Sequence, residues 1–209
     1  MHRWAMILII GSLLGVSEIY PSTMEATTRD GRVVILSPDG TWRYKEERPA
    51  PSSSGDFTKP ESATAVLKSQ KGFLEIWYDP DKWQTPSGIE NASAELSFRH
   101  HAGDAYAMII VERAAIPIDT LRQIGLDNAK KVAPDAKVTS ESERKVNGVT
   151  VLSVEIDATT KGIPIHYYIY YWSGKAGAVQ LITFTAQNLF EEYKPDLEGL
   201  LNGMIIKKP

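Results

Sequence analysis

Residues 71–83 read KGFLEIWYDPDKW, and this stretch decides how the rest of the chain is read. Phe73, Leu74, Ile76, Trp77 and Tyr78 form a short apolar run rich in strand-forming side chains. Lys71-Gly72 breaks the chain ahead of it. Asp79-Pro80-Asp81 ends it, because proline has no donor for a sheet ladder and aspartate favours turns. Trp83 follows at a distance from which its ring can fold back over the strand. The spacing predicts that Trp83 is buried against Phe73–Tyr78 and the sheet.

The chain around this stretch has the composition of an ordinary soluble globule. It has 209 residues, 43% hydrophobic and 23% charged, enough for one domain with a small appendage and a core that needs no covalent staples. A formal charge of −3 gives no basic footprint, so nucleic acid is not an expected partner. Cysteine is absent. Disulfides, thiolate metal sites, a cysteine nucleophile and a lipoprotein attachment cysteine are therefore excluded together.

The N-terminus carries a targeting pattern. Arg3 precedes the apolar run Ala5–Val16 (AMILIIGSLLGV), which falls short of the roughly 20 apolar residues that span a bilayer. Gly15 and Ser17 supply small residues for cleavage after Ser17, so residues 1–17 are read as a signal peptide. The alternative is an uncleaved anchor, which would be the chain's one contact with a membrane. Either reading exports the body of the protein to the periplasm or beyond.

Residues 18–46 contain a β-hairpin. Arg32–Leu36 and Thr41–Tyr44 are strands, joined by the turn Pro38-Asp39-Gly40. The D-G-R and D-G-T-W elements resemble short modules found ahead of other bacterial envelope domains. Residues 47–62, with Pro49, Pro51, Ser52, Ser53, Ser54, Gly55 and Pro60, are a linker. Residues 63–209 form the main domain.

Beyond Trp83, Ala94–Arg99 and Ala105–Arg113 are strands on either side of a turn at His100–Asp104. Asp119–Val132 is a helix, with Leu121, Ile124, Gly125, Asn128, Ala129 and Val132 on one face. Asp119 or Thr120 can cap its start, and Gly125 would let it lie close to a sheet. Four strands follow: Lys137–Val146, Thr150–Asp157, Pro164–Trp172 and Ala178–Ala186. Their short connections, Asn147-Gly148 among them, make the meander antiparallel. Asn188-Leu189-Phe190-Glu191 reads as a capping box opening a second helix, and Met204–Ile206 as a last short strand.

The order of these elements resembles the PsbP-like superfamily, named for an extrinsic subunit of photosystem II. Gly72-Phe73, Pro80, Trp83, the Asn147-Gly148 turn before Val149–Ile156, and Leu200–Ile206 carry the resemblance, which spans about residues 63–206. It implies an α+β fold, with a central antiparallel sheet of about six strands and helices on both faces as an α/β/α sandwich. It also implies an accessory or binding role. The photosystem subunit's association with metals does not carry over, because no binding residue matches.

The remaining constellations are weak as chemistry. His100, His101 and Asp104 are the metal-ligand types that cluster, but adjacent histidines on a strand point to opposite faces and zinc wants three or four ligands. The cluster reads as a solvated hairpin loop with no metal, and no cofactor is expected. Asp79 and Asp81 stabilise their own turn. Gly174-Lys175 lacks the upstream glycine of a phosphate loop, where Ile169 stands. No G-x-S-x-G elbow or H-E-x-x-H helix occurs, so no catalysis is expected.

The strand HYYIYYW, His166–Trp172, carries aromatics on both faces. Alternation groups Tyr167, Ile169 and Tyr171 on one face, assigned to the side under Asp119–Val132. His166, Tyr168, Tyr170 and Trp172 share the other. Core packing explains that second face, and a groove of Tyr168, Tyr170 and Trp172 for a glycan or small molecule is the alternative. The leading functional expectation is a non-catalytic accessory protein of the bacterial envelope that contacts an envelope protein or complex.

Overall fold

The computed structural model describes residues 24–27, 33–36, 42–44, 55–86 and 91–207. The signal segment 1–17 and residues 47–54 of the 47–62 linker lie outside the described residues. The chain divides into two compact units, at Ala50/Pro51.

In the first unit, β1 (Met24–Thr27), β2 (Val33–Leu36) and β3 (Trp42–Tyr44) form an antiparallel sheet in the order β1-β2-β3. The expected hairpin is β2–β3. Its third strand, β1, pairs Glu25 with Ile35, and two strands alone would be marginal in water.

The second unit is built on an eight-stranded sheet, where about six strands were expected. Its members are β4 (Asp56–Phe57), β7 (Trp83–Gln84), β8 (Leu96–His100), β9 (Ala105–Glu112), β10 (Lys137–Val146), β11 (Val149–Thr160), β12 (Ile163–Gly174) and β13 (Gly177–Ala186), in the order β4-β10-β11-β12-β13-β9-β8-β7. The two additional strands are the two-residue edges, too short for any periodicity to mark. One of them, β4, lies in the stretch read as linker and pairs in parallel with Lys145–Val146, so the sheet is not wholly antiparallel.

The stretch 71–83 does not enter this sheet as a whole. Leu74–Tyr78 is β6, the centre of a separate three-stranded sheet between β5 (Ala65–Lys68) and β14 (Met204–Ile206). A five-residue apolar run looks the same in either setting. The approach of β14 is close: Trp77 N donates to Gly203 O at 2.9 Å, and a Cβ on Gly203 would stand 1.8 Å from Trp77 O. Trp83 itself passes back to the large sheet as β7 and pairs with His100.

The small sheet shares one face of the large sheet with α2 (Phe190–Leu201), so that face is covered by strands as well as a helix. Phe73, Ile76, Tyr168, Tyr170, Leu197 and Met204 meet in the core there. The other face is covered by α1 (Ile118–Val132), over Leu152, Val154, Ile169 and Tyr171. The face assignment along β12 is therefore as alternation requires.

Three helix details differ from expectation. Pro117 stands at the N-cap of α1 with no side-chain cap bond, and Asp119 sits inside the first turn, where it complements the helix dipole. Instead of a capping box, a 3-10 turn, Gln187–Leu189, leads into α2, which also lacks a side-chain cap and runs on through Pro195. The buried stripe of α1 is rotated: Leu121, Leu126 and Ala129 pack inward, while Ile124 and Val132 are 39% and 51% exposed.

Gly125 has the role its position suggests. A Cβ there would stand 2.2 Å from Tyr171 Oη, a fully buried hydroxyl with no hydrogen-bond partner among the described residues. Helix propensity alone predicts that Gly125→Ala stabilises by about 1 kcal/mol. Overpacking costs about 1–3 kcal/mol, so the substitution is expected to be net destabilising in urea titrations. A stabilised variant would show that α1 does not lie this close to β12.

Candidate functional site

The side chains that carry chemistry gather on the α2 side of the large sheet. The first group stands on β12. Tyr168 and Tyr170 are fully buried and Trp172 is 9% exposed. Their alternation on one strand aims all three beneath α2 and the small sheet. Tyr168 Oη donates to Glu198 Oε1 at 2.8 Å. Arg144 Nη1 donates to Glu198 Oε1 at 3.2 Å and to Tyr170 Oη at 3.1 Å, while Tyr170 Oη donates to Asn202 Oδ1 at 3.1 Å. The Arg144 guanidinium lies 4.8 Å from the Phe57 ring centroid and 5.5 Å from that of Tyr168. Burial raises the pKa of both phenols, so they remain neutral donors. The network ties β10, β12 and the C-terminal half of α2 together.

Asn147 extends the same ties. Its φ of 47° and the 83° of Gly148 are the positive values that a tight two-residue hairpin turn requires. From this turn its amide Nδ2 donates to the carbonyls of Asn202 and Met204, both at 2.8 Å. Its Oδ1 accepts from the Lys59 backbone N–H at 2.9 Å. One turn residue thus fastens the chain on both sides of the large sheet's sequence.

The second group centres on His166, which is 7% exposed. Its Nδ1 lies 2.7 Å from Asp157 Oδ1. Its Nε2 lies 3.2 Å from Glu155 Oε2, an ion-pair distance but off the line that a hydrogen bond prefers. Burial presses the imidazole pKa down, and the contacts and charges of Glu155 and Asp157 outweigh it, leaving it above the ordinary 6.5. The His166 contact is also the main cause holding the Glu155 pKa below its ordinary value.

The third group surrounds a depression of about 120 Å³, lined by Pro60, Asp79, Lys82, Trp83, Asp196 and Leu200 among others. Behind it stands His100. The expectation of a solvated loop fails for this residue. It is the last residue of β8, 7% exposed, with its ring edge-on to those of Trp83 and Tyr193. His100 Nδ1 accepts from the Ala102 backbone N–H at 3.2 Å, so in the neutral ring Nε2 carries the proton and donates to Asp196 Oδ2 at 3.1 Å. Lys82 Nζ is 3.5 Å from the same oxygen.

His101 and Asp104 do not join His100. His101 is exposed, with Nε2 3.1 Å from Pro80 O, and Asp104 is exposed at the hairpin end. Among the described residues, no three side chains of His, Cys, Asp or Glu converge to hold a metal ion. Asp79 Oδ1 accepts from Asp81 N at 2.9 Å, the self-stabilised turn read from the sequence.

The chain is similar to several solved structures. Cyanobacterial PsbP (CyanoP) from Synechocystis sp. PCC 6803 matches with a TM-score of 0.48 at 13% identity, over 70% of this chain and 94% of that one. LpqN, described as involved in cell envelope biogenesis of Mycobacterium tuberculosis, matches with a TM-score of 0.49 at 10% identity, over 69% and 90%. A protein of unknown function from Pseudomonas aeruginosa, PA94, matches with 0.44 at 13%, over 69% and 97%. No family model matches the chain, and no curated protein matches it.

Sequence reasoning missed His166, Glu198 and Arg144 as partners. The signal for His166 was present. A two-residue turn at Lys161-Gly162 sets Asp157 directly opposite His166 in the β11–β12 register. Nothing local to Glu198 or Asn202 indicates that α2 lays them over β12.

Proposed function

We propose that this chain is a non-catalytic accessory protein of the bacterial envelope, exported through its N-terminal segment and acting by protein–protein contact. The observation that carries the reading is that its chemistry-bearing side chains are engaged with one another. Tyr168, Tyr170, Arg144 and Glu198 are joined in one hydrogen-bond network, and His166 and His100 are each held by carboxylates. Such groups position elements, and among the described residues they leave no nucleophile–base pair facing an open site. The depression beside His100, at about 120 Å³, is small against the roughly 300–1,000 Å³ of small-molecule sites. Export rests on Arg3 and the apolar run Ala5–Val16.

Expression in a bacterium, with fractionation and intact-mass measurement, tests the compartment. The expected product lies outside the cytoplasm with its N-terminus near Glu18. A soluble cytoplasmic product retaining Met1 ends the export reading. Site-specific crosslinking in the envelope is expected to return a protein adduct. A thermal-shift screen with envelope glycans is expected to leave the melting temperature unchanged. A glycan that raises it, with the gain lost in Tyr170→Phe, would instead assign the protein to small-molecule or glycan binding.

A further inference from the structure

The start of α2 is held by packing rather than by a side-chain cap. No side chain caps it, and its first residue, Phe190, is buried with its ring centroid 3.7 Å from that of His166 and 6.1 Å from that of Tyr168. His166 is thus the floor on which the helix end rests. The ring is gripped from β11 by two carboxylates, Asp157 at Nδ1 and Glu155 at Nε2. A protonated imidazole presents an N–H to both. A neutral imidazole keeps one N–H and turns a lone pair toward the other carboxylate, so one of the two contacts becomes repulsive.

We propose that His166 is a pH-operated latch on α2, closed when the imidazole is charged and clamped between Glu155 and Asp157, and open when the proton is lost and the Phe190 end of the helix is no longer held to the sheet. The surrounding groups favour the closed form at mildly acidic pH. From β11 these are Glu155 and Asp157. From α2, Lys194 Nζ lies 5.5 Å from the Phe190 centroid and its charge reaches Glu155. From β10, Arg144 acts on Glu155 as well. On β12, Tyr168 is a neutral neighbour, and on β13 the residue in register is the uncharged Thr185.

The direction follows from linkage. The pKa of His166 is raised in the folded state, so its contribution is complete below the unfolded value of 6.5 and is lost as pH rises through the higher folded value. The pKa of Glu155 is lowered, so its contribution is present above 4.5 and is lost as pH falls through the lower folded value. The latch is therefore closed between these limits and opens on the alkaline side.

Amide hydrogen exchange of α2 in the parent protein, corrected for intrinsic rates, tests this together with an NMR titration of the imidazoles. His166 is expected to titrate above 6.5. Protection in the first turns of α2 is expected to fall between pH 6 and pH 9, by about tenfold for each unit of that elevation. His100 also touches α2, through Asp196, so a variant must separate the two histidines. Glu155→Gln removes one jaw of the clamp without touching His100. It is expected to lower the His166 midpoint and shrink the pH difference, while His101→Gln leaves both unchanged. A His166 midpoint at or below 6.5, or equal α2 protection at the two pH values, overturns the latch. An unaltered pH difference in Glu155→Gln does so as well.

Discussion

Trp83→Ala is expected to lower the unfolding free energy of the unit beginning at Pro51 by about 3–5 kcal/mol, the range for losing a large aromatic from a packed core. That is a large part of the 5–15 kcal/mol, roughly, that holds a domain together. Trp83 is 2% exposed. Its ring meets His100 edge-on, with centroids 5.2 Å apart. Its backbone N–H donates to Asp79 O at 2.9 Å, closing the turn that carries the chain from the small sheet to the large one. The cavity would open where β7, His100 and α2 meet, and collapse there is hindered by backbone on each side. Urea unfolding followed by far-UV circular dichroism measures the effect. A midpoint equal to the parent's would place Trp83 at the surface and remove the reason for building the fold outward from residues 71–83.

A loss of similar size, about 3–5 kcal/mol, is expected for Tyr170→Ala, because the ring is fully buried among Tyr168, Trp172 and the inner face of α2. The companion Tyr170→Phe separates the ring from the hydroxyl. It leaves the packing and removes the bonds to Arg144 and Asn202, for an expected cost of about 1 kcal/mol, rising toward 3 if the Arg144 donor is stranded. Equilibrium unfolding of both variants checks the ratio. If Tyr170→Ala folds with nearly the parent's stability, the phenol is not part of the core and the groove reading of Tyr168, Tyr170 and Trp172 gains ground.

The legibility of the fold follows the strength of local signals. Strands β10 to β13 were read to within a few residues because each is long, alternates, and ends at a turn such as Asn147-Gly148. The two-residue edge strands carry no alternation and exist only through their neighbours. In α1 the period was visible and the phase was not. Ile124 and Val132 are as apolar as Leu126, and which of them faces inward is set by where Gly125 meets Tyr171. Asn188 looked like a cap, yet packing of Phe190 against His166 and Tyr168 decides where α2 begins. The candidate site shows the same divide. Alternation placed Tyr168 and Tyr170 on one face, but their hydroxyl partners come from α2 and β10. A sequence shows what a side chain needs, and the partner that meets the need can be far along the chain.

The position of β6 has a consequence for how the molecule comes into being. Its two neighbours are β5, a few residues upstream, and β14, whose Met204 pairs with Ile76 from the far end of the described chain. Such a pairing carries a high loop-closure cost, and contacts of this sequence separation form slowly. A nascent chain stopped before Met204 can join β5 to β6 but leaves the other edge of β6 without a strand. The small sheet, and the core it shares with α2, is completed only once β14 is available. Until β14 arrives, β5 and β6 cannot lock into the finished small sheet.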